Sequence, residues 1–309
     1  MIITVTLNPA IDKTVTVEEF KTGKLNRVKD VRQDIGGKGI NVSKVVKELG
    51  GETIAFGLLA GNSGKFIINK LDEIGIKHQF TWVDGETRTN LKLLDINSGQ
   101  ETEINEPGVK ASKGELDKLK GKILEQVNDE DFVVLTGSLP LNTPKDIYAE
   151  LITALKDKGS KVILDTSGMS LEEGLKAKPY LVKPNWHELQ NLVGNDFESI
   201  KDIIKAGSRI HQQGIEIVAI SLGSTGVIII GEEGILKITP PKVEVQSTIG
   251  AGDTLVGALT LQLSRKKILK DAILYATAAS VNSVTKPGTQ LCNKNEINKL
   301  LDQVSIEEF

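Results

Sequence analysis

The sequence predicts an α/β fold in which helices cover both faces of a mostly parallel central sheet and a small β-sheet forms a lid. Three observations lead there. Apolar strand-like runs alternate with helix-period segments over nearly the whole chain, the mark of repeated crossover units. A run such as Val162-Ile163-Leu164 is apolar at every position, as suits a strand buried on both faces. Residues 12–35 and 86–106 interrupt the alternation with Thr-, Val-, Lys- and Glu-rich sequence of period two, and no obvious crossover helix follows either.

The first strand is expected over 2–7, where Ile2-Ile3-Thr4-Val5-Thr6-Leu7 opens the chain. The first insertion, typified by Thr14-Val15-Thr16-Val17, comes next. Gly36-Gly37-Lys38-Gly39 then leads into a helix over 41–50 that continues through Val45, Val46 and Leu49, followed by a strand at 53–59 and a helix at 63–75. The second insertion, 86–106, supplies further lid strands. Antiparallel strands from the two insertions are expected to form one small sheet over the carboxyl edge of the main sheet, where α/β proteins bind ligands. Helices at 112–127, 145–158 and 198–213 alternate with strands at 132–136, 161–165, 180–183 and 216–221. In the 145–158 helix Ala149, Leu151, Ile152 and Leu155 recur at helical spacing, and Gly159 stops it. After residue 216 the pattern becomes short strands, 216–221, 226–231 and 234–238, and then helix from Gly252 to about Leu301. No repeat, low-complexity tract or linker divides the chain, so 1–309 reads as a single domain.

Composition bounds the function. No apolar run approaches the ~18 residues that span a bilayer, and Met1 leads into a strand without an export signal, so a soluble protein with no membrane partner is expected. The single cysteine, Cys292, forms no internal disulfide, which fits a reducing cytoplasm. A net charge of −3 argues against nucleic acid as a partner, so an anionic ligand must be met by a local cluster of cations. His78, His187 and His211 lie far apart and offer no zinc-ligand spacing.

Thr248-Ile249-Gly250-Ala251-Gly252-Asp253-Thr254 is the most informative segment. Its glycines permit close approach to a ligand, the N–H groups at a helix start attract an anion, and Asp253 suits a general base. Asp is also a favoured helix cap, and that plainer reading stays open. Gly36-Gly37-Lys38-Gly39-Ile40-Asn41-Val42 combines helix N–H groups, the point charge of Lys38 and the two-way amide of Asn41, a set suited to a phosphate or to sugar hydroxyls. A dinucleotide loop is its rival, but the fingerprint's third glycine is missing and no strand is expected immediately before it. Gly64-Lys65-Phe66 likewise lacks the P-loop pattern. Arg88, Asn90 and Lys92 alternate, so a strand would present all three on one face, either solvated or anion-binding. Asn185 and Glu188 read both as a capping box and as an amide and carboxylate fit for hydrated Mg²⁺. Ser221-Leu222-Gly223-Ser224-Thr225-Gly226 is a turn at a strand end, placed to wall a nucleotide.

Together with Thr6-Leu7-Asn8-Pro9-Ala10-Ile11-Asp12 and Gly137-Ser138-Leu139-Pro140, these segments resemble the ribokinase-like carbohydrate kinases of the phosphofructokinase-B type, over almost the whole chain. The resemblance is to their hexose-phosphate branch. Thr87-Arg88-Thr89-Asn90-Leu91-Lys92 and Thr248-Ile249-Gly250 look closest to the 1-phosphofructokinase type, with tagatose-6-phosphate kinases next. Gly288-Thr289-Gln290-Leu291-Cys292 looks instead like the minor 6-phosphofructokinase type. The resemblance implies a three-layer αβα sandwich with a β lid, ATP as phosphoryl donor, Mg²⁺, a ketohexose phosphate as substrate and a homodimer formed through the lid. It implies Asp253 as general base and the N–H groups of Gly250, Ala251 and Gly252 as anion hole. Asp12, Gly37, Asn41 and Asn90 would meet the sugar, and Lys38, Arg88, Arg27 and Lys92 the phosphate it already carries. Asn185 and Glu188 would hold Mg²⁺ through water, while Lys183, Ser221, Gly223, Gly226 and Thr248 would border the nucleotide.

Two further readings come from other classes. A sugar-phosphate sensor without catalysis would keep the fold, but the intact Asp253 and anion loop argue against it. A nicotinamide-dependent dehydrogenase rests only on the Gly36-to-Gly39 run.

Overall fold

The computed structural model describes residues 1–309. Eleven strands form the main sheet and four form a second, smaller one. In chain order the strands are β1 (Ile2–Thr6), β2 (Ala10–Val17), β3 (Val28–Gly36), β4 (Thr53–Leu59), β5 (Lys77–His78), β6 (Thr81–Trp82), β7 (Thr89–Asp95) and β8 (Glu101–Asn105). They continue as β9 (Phe132–Thr136), β10 (Lys161–Asp165), β11 (Leu181–Val182), β12 (Ile217–Ser221), β13 (Val227–Gly231), β14 (Gly234–Thr239) and β15 (Ser305–Glu308). The main sheet runs β15-β14-β13-β12-β11-β10-β9-β1-β4-β5, with β6 also on β4. From β4 to β12 the pairs are parallel, and the β12-to-β15 end is antiparallel. The chain leaves β1 for β4 on one side and returns to β9 on the other, so the topology reverses at the carboxyl ends of β1 and β9, where ligands of such sheets bind.

The helices are α1 (Lys38–Glu48), α2 (Gly61–Glu73), α3 (Lys113–Gln126), α4 (Ile147–Lys156), α5 (Met169–Lys176), α6 (Trp186–Val193), α7 (Ile200–Gln212), α8 (Ala251–Ser264), α9 (Leu269–Val284) and α10 (Lys294–Leu301). Side chains of one strand alternate between two cores, which makes the three layers. Val133 and Leu135 of β9 pack with α3 to α7, whereas Phe132 and Val134 pack with α1, α8, α9 and α10. At about 25 cal/mol per Å² of apolar surface, a fully buried Leu or Ile contributes ~2 kcal/mol, and both cores are built largely of such residues.

The small sheet joins the two insertions, in the order β3-β2-β7-β8. The expectation of all-antiparallel pairing fails at its centre, because β2 and β7 come from separate excursions and run parallel. Registers place Asp12 beside Asp34 and Asn90, and Thr14 beside Arg32 and Lys92. Period-two alternation then gives the sheet one polar face, and an opposite face carrying Val15, Val31, Leu93 and Ile104. Val31 and Ile104 on that outer face are 49% and 58% exposed.

Three further points differ from the sequence reading. The helix expected from Gly252 to Leu301 is three helices, broken at Lys266, which takes a left-handed φ of 59°, and at Pro287-Gly288. Helix α5 and the edge strand β15 were not anticipated. A strand, β3, does precede Gly37, but it belongs to the lid and so makes no crossover unit with α1.

Candidate active site

The carboxyl ends of β1, β9 and β10, the starts of α1 and α8, and the polar face of the lid converge. Gly250, at φ 74°, is the N-cap of α8, a conformation glycine adopts without penalty. Ala251 and Gly252 follow as the first helical residues, and Asp253 lies one residue further along, so its side chain caps nothing. The cap reading of Asp253 is therefore overturned. Its carboxylate is buried and accepts a 2.8 Å hydrogen bond from Asn41 Nδ2 of α1. Burial raises its pKa to about 6; Asp165 adds to the rise, while Lys38, the Asn41 hydrogen bond and Lys183 oppose it.

Asp165, at the end of β10, escaped the sequence reading. It is 1% exposed and sits between two ammonium groups, with Lys183 Nζ at 3.0 Å from Oδ1 and Lys38 Nζ at 3.5 Å from Oδ2. Burial alone would raise its pKa, but Lys183 and Lys38 override it and hold the carboxyl below its ordinary value. The Lys38 ammonium is held above its ordinary pKa chiefly by Asp165, with Asp253 and Glu188 also acting on it. Lys183 Nζ lies 3.8 Å from where a Cβ on Gly252 would stand, so the pair reaches the anion loop. A carboxylate at the end of a parallel strand was a signal that could have found Asp165.

On the lid side, a cavity of about 200 Å³ lies between the polar face, represented by Asp12, Thr14, Asn90 and Lys92, and two other segments, one carrying Ile249 and one carrying Thr289. Asn90 Nδ2 donates to Asp12 Oδ1 at 3.1 Å, and burial is the main reason the Asp12 pKa is raised. Lys92 does not present a free charge, because Glu101 and Glu103 hold its ammonium at 2.8 and 3.5 Å. The Arg88 guanidinium donates to the carbonyls of Asn8 and Glu106, while its Nε is buried without a partner, as is Asn90 Oδ1. Both atoms therefore keep hydrogen-bonding capacity that a polar ligand could use. Gly37 caps α1 beside Lys38. Arg27 is not brought here: it is exposed in the loop before β3, roughly 20 Å along the strands from Asp12 at ~3.3 Å per residue.

At the other end, Asn185 and Glu188 form a complete capping box on α6, each backbone N–H donating to the other's side chain at 2.8 Å. That bond engages Glu188 Oε2 and leaves Oε1 available. No group of three or more metal-ligating side chains occurs, so a divalent cation here would be held by few protein atoms and by ligand phosphates, the usual arrangement for Mg²⁺. Asn185 bridges to Ser221, which brings the capping box against the end of β12. Gly223 follows in the turn after β12 and is exposed, as is Thr248 two residues before Gly250. Gly226 has a packing reason of its own, since a Cβ there would collide with the Ile238 carbonyl.

A layered sheet with a lidded cleft, an anion loop and one buried carboxylate poised near neutrality defines a phosphotransferase acting on a small alcohol. The family model "pfkB family carbohydrate kinase" matches residues 5–296. The chain belongs to the pfkB family of carbohydrate kinases. It is 36% identical to a 1-phosphofructokinase of Borreliella burgdorferi, covering 100% of this chain and 99% of that protein. It is 33% identical to a 1-phosphofructokinase of Vibrio cholerae, covering 99% and 96%. Among solved structures, phosphofructokinase-2 from Escherichia coli in complex with potassium superposes with a TM-score of 0.94 at 30% identity, covering 98% of each chain.

Proposed function

We propose that this protein transfers the γ-phosphoryl group of ATP to the free primary hydroxyl of fructose 1-phosphate, forming fructose 1,6-bisphosphate and ADP. The observation that carries the chemistry is the Asp253 carboxylate, buried behind the Gly250 turn and held at a pKa of about 6. A general base works best with a pKa near the working pH, and burial supplies that poise. The names of the full-length relatives support the substrate.

In this reading Asp253 takes the hydroxyl proton as the sugar oxygen bonds to the γ-phosphorus, and the bond to the bridging oxygen of ADP breaks. Asn41 keeps the carboxylate oriented through its 2.8 Å bond. The N–H groups of Gly250 and Gly252, joined by that of Ala251 once it leaves its long 3.4 Å bond to the Thr248 carbonyl, meet the charge on the transferring group, and Lys38 and Lys183 add charge from either side of Asp165. Asp12 and the unpartnered Asn90 Oδ1 suit sugar hydroxyls, and the unpartnered Arg88 Nε suits the phosphate already present. Lys92, already neutralised, gives that phosphate little, and Lys38 is turned to Asp165 beside Asp253, so Arg88 carries the role. Glu188, through its free oxygen, and Asn185 fit a hydrated Mg²⁺, which when bound neutralises nucleotide phosphate charge. Ser221 and Gly223 border the nucleotide.

The outer lid face, with its exposed Val31 and Ile104, supports a homodimer formed lid to lid. A buried, unpaired Cys292 and the use of ATP support a cytoplasmic setting. The deciding assay measures ADP release with fructose 1-phosphate, tagatose 6-phosphate and fructose 6-phosphate beside a no-sugar control. Fructose 1-phosphate should give the highest kcat/KM. ADP release no higher with any of the three than in the control would overturn the proposal.

A further inference from the structure

The loop between α9 and α10 holds Gly288-Thr289, a segment that the chemistry above does not use. Thr289 Oγ1 donates to Asp34 Oδ2 at 2.7 Å and accepts from Arg32 Nη2 at 3.2 Å, while Arg32 Nε donates to the same Asp34 oxygen at 2.7 Å. Arg32 and Asp34 are both on lid strand β3. No other side-chain hydrogen bond joins the four lid strands to residues outside the two insertions. Gly288 makes the fit, since a Cβ there would collide with the Arg32 guanidinium. Two residues beyond Thr289, Leu291 packs against the catalytic turn, its Cδ2 standing 2.6 Å from where a Cβ on Gly250 would be. Thr289 itself lines the cavity opposite Asp12 and Asn90, beside Ile249.

We propose that Thr289 is a positioning residue that latches the lid to the backing of the anion loop and so sets the distance between the sugar-facing residues and Asp253. The proposal rests on the kinase reading above. Asp34 of β3 pairs directly with Asp12 of β2, so the latch fixes the strand that places the Asp12 row over the cleft. Without it the lid spends less time in the closed arrangement, and a ligand that needs that arrangement binds more weakly by the lost fraction.

The experiment pairs kinetics with hydrogen exchange on Thr289→Val, which keeps the shape and removes the hydroxyl, and on Thr289→Ser, which restores it. Thr289→Val should raise KM for fructose 1-phosphate about tenfold, the factor for one lost hydrogen bond to a charged partner, with KM for ATP within about twofold of wild type. Thr289→Ser should return the sugar KM towards wild type. In the ligand-free protein, amides of β2 and β3 should exchange faster in the Val variant while those of β9 keep their rates. Should β9 also lose protection, Arg32→Ala, at a partly exposed site, is to show the same split. Unchanged sugar KM together with unchanged lid exchange would overturn the latch. Failure of the kinase reading shows separately, as wild-type protein inactive on every sugar phosphate, and the exchange comparison then still decides the latch.

Discussion

Replacing Asn41 by Leu removes the hydrogen-bond donor to Asp253 while filling a similar volume. A hydrogen bond to a charged acceptor contributes about 1.5–3 kcal/mol, and here it favours the ionised carboxylate. At ~1.36 kcal/mol per unit, its loss raises the Asp253 pKa by roughly 1–2 units, from about 6 to roughly 7–8. The sign follows from the role. Asp253 accepts a proton only when ionised, so activity is lost as pH falls through its pKa, and the variant loses it at higher pH. At pH ~7 the ionised fraction falls from roughly nine-tenths to between one-half and one-tenth, with recovery at pH ~9. The assay is kcat/KM for fructose 1-phosphate against pH, which reports the free enzyme's essential groups. An acid limb that stays in place while the whole profile drops would refute the reasoning, because Asn41 would then act on the sugar and not on the base.

Asp253→Asn should lower kcat by ~10²–10⁴ while leaving nucleotide and sugar-phosphate binding, measured by calorimetry, close to wild type. The same change should stabilise the fold. A carboxyl whose folded pKa is raised penalises the native state above that pKa, by up to roughly 3 kcal/mol, and the penalty fades as pH falls towards the ordinary Asp value. The variant should therefore melt higher than wild type at pH ~8 and level with it near pH ~4; a Tm difference independent of pH would contradict the burial argument. On the lid, Ile104→Glu places a charge on the outer apolar face and should convert a dimer to monomers in sedimentation velocity without unfolding the main sheet. A dimer that survives it forms through another surface.

The central sheet was legible because its strands are short apolar runs between helices of clear period, and because Gly159, at a left-handed φ of 79°, closes the turn that follows α4. The break at Lys266 was not, because a lysine takes the left-handed conformation that glycine would have announced, so α8 and α9 read as one; the second break did carry its punctuation, Pro287-Gly288. The lid was visible through its alternation, but pairing between two distant segments has no local signal, and the parallel β2–β7 contact stayed hidden. In the site, glycine-rich turns exposed Asp253, Lys38 and Asn41. Asp165 carried no signal beyond its place at a strand's carboxyl end, and proximity to Lys38 and Lys183 gives that place its meaning. Sequence also credited Lys92 with a free charge and Arg27 with a place at the phosphate, since neither the carboxylates of β8 nor the length of the β2–β3 excursion is apparent until the strands are paired.

The β2–β3 ladder carries a register shift between Thr16 and Val17, beyond Thr14, the last cavity-lining position of β2. Before that point, inserting a single residue would turn Asp12 outward and bring an apolar neighbour inward, altering both faces at once. Past it, an extra residue is already absorbed as a bulge. An added residue should therefore be tolerated in the distal half of the hairpin and disruptive in the proximal half, which makes the hairpin tip the natural place to graft a foreign peptide or a label.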